Sequence, residues 1–348
     1  HVAKADLWKT SGHLNFYSED MYPVMELDAG ENRPGQEYYV KPMNCPFHIL
    51  IFRARSRSYR ELPMRLFELG TVYRYERSGV LHGLMRIRGF TQDDSHIFTT
   101  EADLADELKS LLKFVLMVLR DFGFEEFEAE LSTRPGKYVG DVDMWKKAEA
   151  YLAASLDEAG LNYELAPGEG AFYGPKIDIH IKDAIGRRWQ LGTIQVDFAQ
   201  PENFDLEYAT NENTRERPVM IHRALLGSVE RFIGILVEHY AGAFPMWLAP
   251  VQVTVVPVAD RHHEYAHSVG EELSSAGIRV RVDDADETVG EKIRRSITHK
   301  HPVVIVVGDN DVANGTVGLR LRGEDREERG VDLAHAVEKL TAMAAPPR

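Results

Sequence analysis

The clearest hydrophobic pattern in the first third of the chain has a helical period. Between Thr100 and Phe122, apolar residues recur every three or four positions, at Leu104, Leu108, Leu111, Leu112, Val115 and Leu119. Thr100 and Asp103 have the spacing of a capping box, and Gly123 follows as a helix terminator. The pattern therefore predicts one long amphipathic helix over 100–122.

Strict alternation of apolar and polar residues follows this helix. It occurs over 127–131 and 177–181 and predicts half-buried antiparallel strands. Residues 189–198 predict the second strand of a hairpin, which the turn 184–187 joins to the first. We expect its polar face to present Gln190, either Gly192 or Thr193, and Gln195. A helical pattern returns over 223–240, so antiparallel strands with segregated helices indicate an α+β domain.

The pattern changes between Ala243 and Pro250, where prolines and aromatic residues interrupt it. Beyond this point, strands at 251–256, 278–282 and 303–307 alternate with helices at 264–275 and 289–299, and a last helix begins at Val331. The run 303–307 is apolar on both faces, which is typical of a buried parallel strand. We therefore predict two domains, 1–245 and 246–348, the second a small α/β domain with a largely parallel sheet.

Composition narrows the function classes. The 348 residues are 44% hydrophobic and carry a net charge of −14, which argues against non-specific coating of nucleic acid. No apolar run approaches the ~18 residues of a membrane span. The single cysteine fits a reducing compartment, and we expect a cytoplasmic protein without a secretory signal. The start at His1 suggests that further residues precede it.

Residues 53–88 carry nine arginines, no lysine and three acids, which makes them a candidate phosphate site. A solvated arginine-rich face is the alternative. Within this region Arg74-x-Glu76 is followed by a loop with Arg86 and by Phe90. This ordered set resembles motif 2 of the class II aminoacyl-tRNA synthetases, and residues 219–232, which include Ser228 and Arg231, resemble motif 3. In isolation, Glu230 and Arg231 would be the polar edge of an amphipathic helix.

Four further strings narrow the resemblance to the threonyl-tRNA synthetase family over essentially the whole chain. They are residues 41–46 (KPMNCP), 83–98 (GLMRIRGFTQDDSHIF), 172–178 (FYGPKID) and 189–195 (WQLGTIQ). The resemblance implies an α+β class II catalytic domain, with an antiparallel sheet flanked by helices, followed by a small α/β anticodon-binding domain. It also implies ATP-dependent activation of threonine to threonyl adenylate and transfer to the 3′ end of threonine tRNA.

The resemblance implies one catalytic zinc per chain, bound by Cys45, His96 and His222. Three protein ligands leave a fourth position where threonine can chelate the metal, so that zinc recognises substrate rather than activating water. Spacing alone would instead favour local pairs at Cys45-x-x-His48, His262-His263 and His299-x-His301. The family usually has glycine where Phe47 stands, a difference that concerns loop packing rather than a ligand.

The remaining roles also follow from the resemblance. Catalytic roles are implied for Arg74, Arg231 and His13, the last as proton acceptor in transfer. ATP binding with Mg²⁺ is implied for Arg74, Glu76, Arg86, Phe90, Gln190, Thr193, Ser228 and Arg231. Threonine binding is implied for Asp94, Gln92, Tyr173, Lys176 and Gln195. Anticodon binding is implied for Arg320, Asp311, Asp286 and Lys300. From Ala249 onward the chain has 13 basic and 17 acidic residues, so anticodon recognition must rely on individual side chains and on stacking rather than on a basic surface.

Two family regions, most of motif 1 and an N-terminal editing region, are expected to precede His1. Motif 1 builds the dimer interface in the family, so the expected homodimer rests on the resemblance. Two alternatives stay open at this point: another class II enzyme, such as a prolyl enzyme, and a non-catalytic RNA-binding regulator built on the same fold. The set of Cys45, His96 and His222 argues against the first. Retention of the ATP arginines argues against the second.

Overall fold

The computed structural model describes residues 1–28, 30, 35–183, 185–324 and 326–347. Its strands are β1 (Val2–Lys4), β2 (Met25–Leu27), β3 (Gln36–Val40), β4 (Arg57–Ser58), β5 (Met64–Tyr73), β6 (Gly89–Thr99), β7 (Glu128–Ser132), β8 (Tyr163–Ala166), β9 (Lys176–Lys182), β10 (Arg188–Asp197), β11 (Tyr208–Ala209), β12 (Arg215–Glu216), β13 (Val219–Ala224), β14 (Val253–Pro257), β15 (Val280–Val282), β16 (Val303–Val307), β17 (Thr316–Leu321) and β18 (Glu328–Asp332). Its α-helices are α1 (Ala5–Thr10), α2 (His13–Phe16), α3 (Cys45–Arg53), α4 (Leu104–Asp121), α5 (Val142–Glu158), α6 (Ala199–Asn203), α7 (Val229–His239), α8 (His263–Ser275), α9 (Val289–Thr298), α10 (Asp309–Asn314) and α11 (Leu333–Ala344). The chain divides into two compact units, His1–Ile235 and Leu236–Arg348.

A seven-stranded sheet organises the first unit. Its strand order in the described chain is β5-β6-β13-β10-β9-β7-β8. Every neighbouring pair is antiparallel except β7 with β8. The predicted strands at 127–131 and 177–181 and the predicted hairpin therefore all lie in one sheet. The hairpin turn includes Ala184, which lies outside the described residues.

Helix α4 confirms the helical pattern, because Leu104, Leu108, Leu112, Val115 and Leu119 are all buried. The predicted start at residue 100 is wrong, since the helix begins four residues later. The Thr100 hydroxyl accepts a hydrogen bond from the Asp103 amide at 3.1 Å, which closes a turn ahead of the helix. None of the helices in the described ranges combines the length and apolar character needed to cross a bilayer.

The predicted helix over 223–240 is only partly correct. Residues up to Ala224 belong to β13, which pairs with β6 on one side and β10 on the other. The Asp93 carboxylate then accepts hydrogen bonds from the amides of Leu225 and Leu226, at 2.8 and 2.9 Å. Gly227 follows with φ +71°, a left-handed conformation that suits glycine, and α7 begins at Val229. Sheet pairing therefore overrides the helical period up to Ala224, and the turn held by Asp93 and Gly227 does so up to residue 228.

A β-bulge settles which polar residues of β10 share a face. The register of β9 with β10 shifts between Gln190 and Gly192, and Thr193 then lies opposite Asp178. A bulge inserts an extra residue, so residues three apart in sequence can point to the same side. Gln190, Thr193 and Gln195 consequently share one face. Gly192 instead packs on α4, where an added Cβ would lie 3.2 Å from a methyl group of Val115.

The second unit has a five-stranded sheet of order β15-β14-β16-β17-β18. The first three strands are parallel, as predicted, but β16, β17 and β18 pair antiparallel, so the sheet is mixed. Strands β17 and β18 and helix α10 were not predicted. The edge strand β18 is mostly exposed and charged, so it lacks an apolar alternation. The last helix begins at Leu333, two residues later than predicted.

Candidate active site

A cavity of about 390 Å³ lies in the first unit, over strands β6, β13 and β10 of the large sheet. Its lining includes every residue that the sequence analysis assigned to ATP, threonine or zinc: Cys45, Arg74, Glu76, Arg86, Phe90, Gln92, Asp94, His96, Tyr173, Lys176, Gln190, Thr193, Gln195, His222, Ser228 and Arg231. His13 is not among the lining residues. Side chains spread over more than 180 residues of sequence thus meet in one place.

The pleat of the sheet explains how these side chains converge. On β6, Gln92, Asp94 and His96 are spaced by two residues, so all three point to the cavity face. His96 lies opposite His222 of β13, and His222 lies opposite Gln195 of β10. Three central strands therefore bring one row of polar groups across the cavity floor.

Cys45, His96 and His222 form the one group of three potential metal ligands found in the described ranges. Each contributes one ligand atom, and these atoms all lie within 4.8 Å of one another. Cys45 is the first residue of α3, and the two histidines are paired across β6 and β13. All three residues are buried, with exposures of 5% or less.

Neighbouring side chains orient the two imidazoles. His222 Nε2 lies 2.8 Å from Oδ2 of the fully buried Asp197, which leaves Nδ1 free to face the cluster. The Nδ1 atoms of His96 and His48 lie 2.7 Å apart, so Nε2 is the His96 nitrogen left to bind a metal. His48 Nε2 in turn lies 3.5 Å from Glu68. Outer partners of this kind hold metal-ligating histidines in one tautomer and one orientation.

Burial and the neighbouring charges set the protonation of the three potential ligands. Burial raises the pKa of the Cys45 thiol well above its usual value, with the nearby Asp94 and Asp197 carboxylates adding to the rise. Burial also lowers the pKa of His96 well below its usual value, so its imidazole is neutral and offers a lone pair. One sulfur and two imidazole nitrogens form a donor set that suits zinc. The residues present therefore fit this metal.

The locally spaced histidine pairs have other partners. His262 Nε2 contacts Asp309 at 2.9 Å, and His301 Nδ1 contacts the Thr254 hydroxyl at 2.7 Å. Phe47 lies beside the metal cluster in sequence, and its ring packs edge-on to Trp8 at 6.0 Å and lies 5.4 Å from the Lys41 ammonium. Phe47, at the position where glycine was expected, thus packs against Trp8 and Lys41.

Next to the metal cluster, the cavity has an acidic and amide-rich wall. Asp94 accepts a hydrogen bond from Asn44 Nδ2 at 2.8 Å, and burial raises the pKa of Asp94 to about 6. The Tyr173 hydroxyl donates to Gln195 Oε1 at 2.6 Å, and the Tyr173 ring lies 4.7 Å from that of His222. This wall offers a carboxylate and hydrogen-bonding groups to a small polar ligand.

The other end of the cavity is rich in arginine. Arg74 follows directly after β5, where its guanidinium lies 5.2 Å from the Phe90 ring and 5.9 Å from the Tyr17 ring. Arg231 donates to the Gln190 carbonyl at 3.3 Å and lies 5.6 Å from the Trp189 ring. These contacts hold two guanidinium groups in place before any ligand arrives.

The motif 2 and motif 3 segments are joined by direct hydrogen bonds. Glu230 accepts a bond from the Thr91 amide at 3.0 Å and one from the Ser228 hydroxyl at 2.9 Å. Arg231 Nε donates to the carbonyl of Met85, in the loop of motif 2, at 2.8 Å. Glu230 and Arg231 are therefore not a solvated helix edge.

Glu76 and Arg86 face each other across the cavity mouth. Arg86 Nε donates to Glu76 Oε2 at 3.0 Å, and half of the Arg86 side chain is exposed. Both groups line the cavity. A ligand that needs either group must therefore compete with this ion pair.

His13 has a different setting from that expected of a proton acceptor at an open site. It is fully buried, its Nδ1 lies 2.7 Å from the Ser11 hydroxyl, and its Nε2 lies 3.1 Å from Met43 Sδ. Burial, together with the nearby His222 and Arg74, lowers its pKa to about 3. The role of His13 in transfer stays a prediction.

Several lining residues were missed by sequence reasoning: Tyr17, Met43, Met85, Ile87, Ala171, Leu191, Arg223, Ala224 and Gly227. Arg223 is the most informative, since it contacts Asp93 at 3.2 Å and lies between the Phe67 and Phe114 rings. An arginine at the start of an expected helix carries no signal of such a position. Gly227 lies within the motif 3 segment 219–232 but was given no role of its own, although a glycine just before a helix is typical of a turn.

In the second unit, the four residues predicted for anticodon binding lie on separate elements. Arg320 is on β17, Asp311 is in α10, Lys300 follows α9, and Asp286 lies between β15 and α9. Asp311 accepts hydrogen bonds from the Gly308 amide and the Thr316 hydroxyl, at 3.0 and 2.9 Å. Lys300 donates to a backbone carbonyl, that of Ala241. Among the described residues no hydrogen bond or ion pair joins two of the four, and their role stays a prediction.

Comparisons with known proteins agree with this geometry. The family model "tRNA synthetase class II core domain (G, H, P, S and T)" matches residues 26–240, and the model "Anticodon binding domain" matches 252–343. Curated relatives include the threonine–tRNA ligase of Mycobacterium bovis, 54% identical over 99% of this chain and 51% of the relative. That of Aquifex aeolicus is 55% identical over 93% of this chain and 50% of the relative. The chain thus spans about half the length of these relatives.

A solved structure is also similar. The crystal structure of the RNA binding domain of threonyl-tRNA synthetase from Cryptosporidium parvum Iowa II is 40% identical and has a TM-score of 0.94. The match covers 100% of this chain and 85% of that one. The predicted fold class is confirmed. These matches show that the chain belongs to the threonyl-tRNA synthetase family of class II aminoacyl-tRNA synthetases.

Proposed function

We propose that this chain is a threonine–tRNA ligase, which activates threonine with ATP and transfers it to the 3′ end of threonine tRNA. One observation carries the proposal. A single cavity holds three buried metal-ligand groups at one end and two pre-oriented arginines at the other. Activation of an amino acid needs both an amino-acid site and a phosphate site within reach of one another.

At the arginine end, we assign the α-phosphate and the attacking carboxylate to Arg74 and the γ-phosphate to Arg231. A guanidinium presents a planar fork of donors that matches phosphate and carboxylate oxygens. Because both groups are already held by ring and carbonyl contacts, they stabilise developing charge without reorganising. Phe90 offers a flat face for adenine, while Glu76 and Arg86 bind the nucleotide once they separate. Mg²⁺ is expected to accompany ATP.

At the metal end, Cys45, His96 and His222 would hold zinc. When bound, zinc would supply coordination for the hydroxyl and amino groups of threonine. The chain's own groups complete the threonine site. Asp94 faces the substrate amino group, and Gln92, Tyr173 and Gln195 surround the substrate, while Lys176 neutralises the threonine carboxylate. This arrangement would place the threonine carboxylate toward Arg74.

The second half of the reaction involves the tRNA. The match of residues 252–343 to an anticodon-binding domain supports a tRNA partner. Arg320, Asp311, Asp286 and Lys300 stay predictions for anticodon contact, and the boundary between residues 245 and 246 stays a prediction as well. The expected homodimer and cytoplasmic location also rest on the family resemblance.

The test is an exchange assay of radioactive pyrophosphate into ATP, run separately with threonine and proline, together with metal analysis. Exchange that depends on threonine, with about one zinc per chain, would support the proposal. Exchange with proline would favour the prolyl alternative. No exchange with either amino acid, with tRNA binding retained, would instead favour the non-catalytic RNA-binding regulator.

A further inference from the structure

We propose that Asp178 is a positioning residue that sets the direction and polarity of the side chains on one wall of the cavity. The inference rests on the proposed function, because the family resemblance behind that function assigns Lys176 to threonine and Gln190 and Thr193 to ATP. Asp178 lies on β9 and is 2% exposed. It is not a lining residue of the cavity, so it acts through its neighbours.

Four donors converge on this one carboxylate. Oδ2 accepts from Lys176 Nζ at 2.5 Å and from the Ser132 hydroxyl at 3.1 Å. Oδ1 accepts from Gln190 Nε2 at 2.5 Å and from the Thr193 hydroxyl at 3.1 Å. An ionised carboxylate has about four acceptor sites and no donor. The four donors therefore use the full capacity of the group.

Three of these four donors line the cavity, and the fourth does not. Lys176, Gln190 and Thr193 all contribute to its wall, whereas Ser132 is buried in β7. The bulge in β10 brings Gln190 and Thr193 to the same side, so that both reach one oxygen of Asp178. The bulge in β10 and the Asp178 carboxylate thus together fix the positions of the Gln190 and Thr193 side chains.

The hydrogen-bond pattern fixes what each side chain can offer to a ligand. Gln190 Nε2 donates both to Asp178 and to the Thr193 hydroxyl, the latter at 3.0 Å. Both amide protons of Gln190 are then used, so its carbonyl oxygen is the group left for a ligand donor. Lys176 gives one proton to Asp178 and keeps two for a ligand carboxylate or phosphate. The wall therefore presents one acceptor and one cation in defined places.

Asp178→Asn breaks this pattern with little change of shape. The asparagine NH₂ group would face either Lys176 and Ser132 or Gln190 and Thr193. Two hydrogen-bond donors would then lie against a third donor instead of an acceptor. At least one cavity side chain must then turn away. A misplacement of about 1 Å can cost ~100-fold in rate. We expect kcat/KM for threonine-dependent pyrophosphate exchange to fall about 100-fold, with zinc content unchanged.

Ser132→Ala is the matched control, because it removes one bond to the same carboxylate without touching the cavity wall. We expect it to stay within about threefold of the unmodified chain. A double-mutant cycle separates positioning from a structural role. In a Lys176→Ala background, Asp178→Asn should cost much less than it does alone, because part of its effect acts through Lys176. A purely structural role would give the same factor in both backgrounds.

If Asp178→Asn shows no cooperative unfolding transition, the contact is tested from its other side. Gln190→Glu places a second carboxylate against Asp178, whereas Gln190→Met only removes the amide. We expect Gln190→Glu to be at least tenfold less active than Gln190→Met. Equal activity of that pair, or of Asp178→Asn and Ser132→Ala, in an active parent chain would overturn the inference alone. A parent chain without threonine-dependent exchange would overturn the proposed function and this inference with it.

Discussion

The two ends of the cavity are built in different ways. At the metal end, Cys45, His96 and His222 are almost completely buried, and the two histidines are set by the register of neighbouring strands. At the arginine end, Arg74 follows a strand and Arg86 lies in a loop, where half of its side chain is exposed. Because sheet register fixes the two histidines, we expect the loss of one ligand to abolish metal binding. Because separate contacts hold the arginines, we expect a substitution there to reduce activity only in part.

The largest effect is expected at the metal end. His96→Ala or His222→Ala should remove the zinc and abolish threonine activation, because two protein ligands are one short of the three that an open zinc site uses. Metal analysis and pyrophosphate exchange on the same samples check this. Circular dichroism should show that both variants keep their fold. Full zinc occupancy in both would contradict the assignment of the ligands.

The metal end should also determine which amino acid the chain activates. Valine is nearly isosteric with threonine but lacks the hydroxyl, and sites built around a substrate hydroxyl discriminate by about 10⁴ or more. Serine retains the hydroxyl and lacks one methyl group, which reduces activation by about 10–200-fold. Exchange rates measured with each amino acid at equal concentration test the order threonine, serine, valine. Valine activity equal to that of serine would show that the hydroxyl is not recognised.

At the arginine end we expect a smaller, graded effect. Arg74→Lys should lower adenylate formation about 100-fold, because an ammonium is a point charge and cannot replace the bidentate fork. Lys109→Arg is a control of similar chemistry, since Lys109 lies on the exposed face of α4 and pairs with Glu158. Single-turnover adenylate formation measures the step directly. An unchanged rate for Arg74→Lys would mean that Arg74 is structural.

The smallest effect is expected for a residue that orients a metal-binding histidine and does not itself bind the metal. Asp197→Asn keeps the size of the side chain but removes the carboxylate that contacts His222 at 2.8 Å. Loss of such an outer partner typically weakens metal affinity by 10–100-fold. Competition with a chelator measures it. Asp205→Asn is the exposed control, and equal zinc affinity in the two variants would remove Asp197 from the metal site.

Local patterns in the sequence determined a large part of the fold. The helical spacing of apolar residues predicted α4, and period-two alternation predicted β7 and β9, the first strand of the hairpin. The family resemblance carried by ordered residues, such as Arg74-x-Glu76 with Phe90, also predicted which side chains would line one cavity. These features succeed because they depend on neighbours within a few residues or on chemistry that the ligand imposes.

Other features depended on contacts that the sequence does not display. Ala224 was expected in a helix and lies in a strand, because partners on both sides of β13 bind its backbone. The choice between Gly192 and Thr193 was open until the bulge turned Thr193 toward the cavity.

The same limit applies to the buried partners of the site. Nothing in the spacing of Asp178 or Asp197 marks them as acceptors for residues of the cavity. Their roles arise from hydrogen bonds between strands distant in sequence, formed where water is excluded. The sequence by itself therefore determined the family, the main elements and the chemistry at the cavity surface. Only the tertiary structure decided which buried groups hold that chemistry in place, because such pairings follow from strand order and register rather than from local pattern.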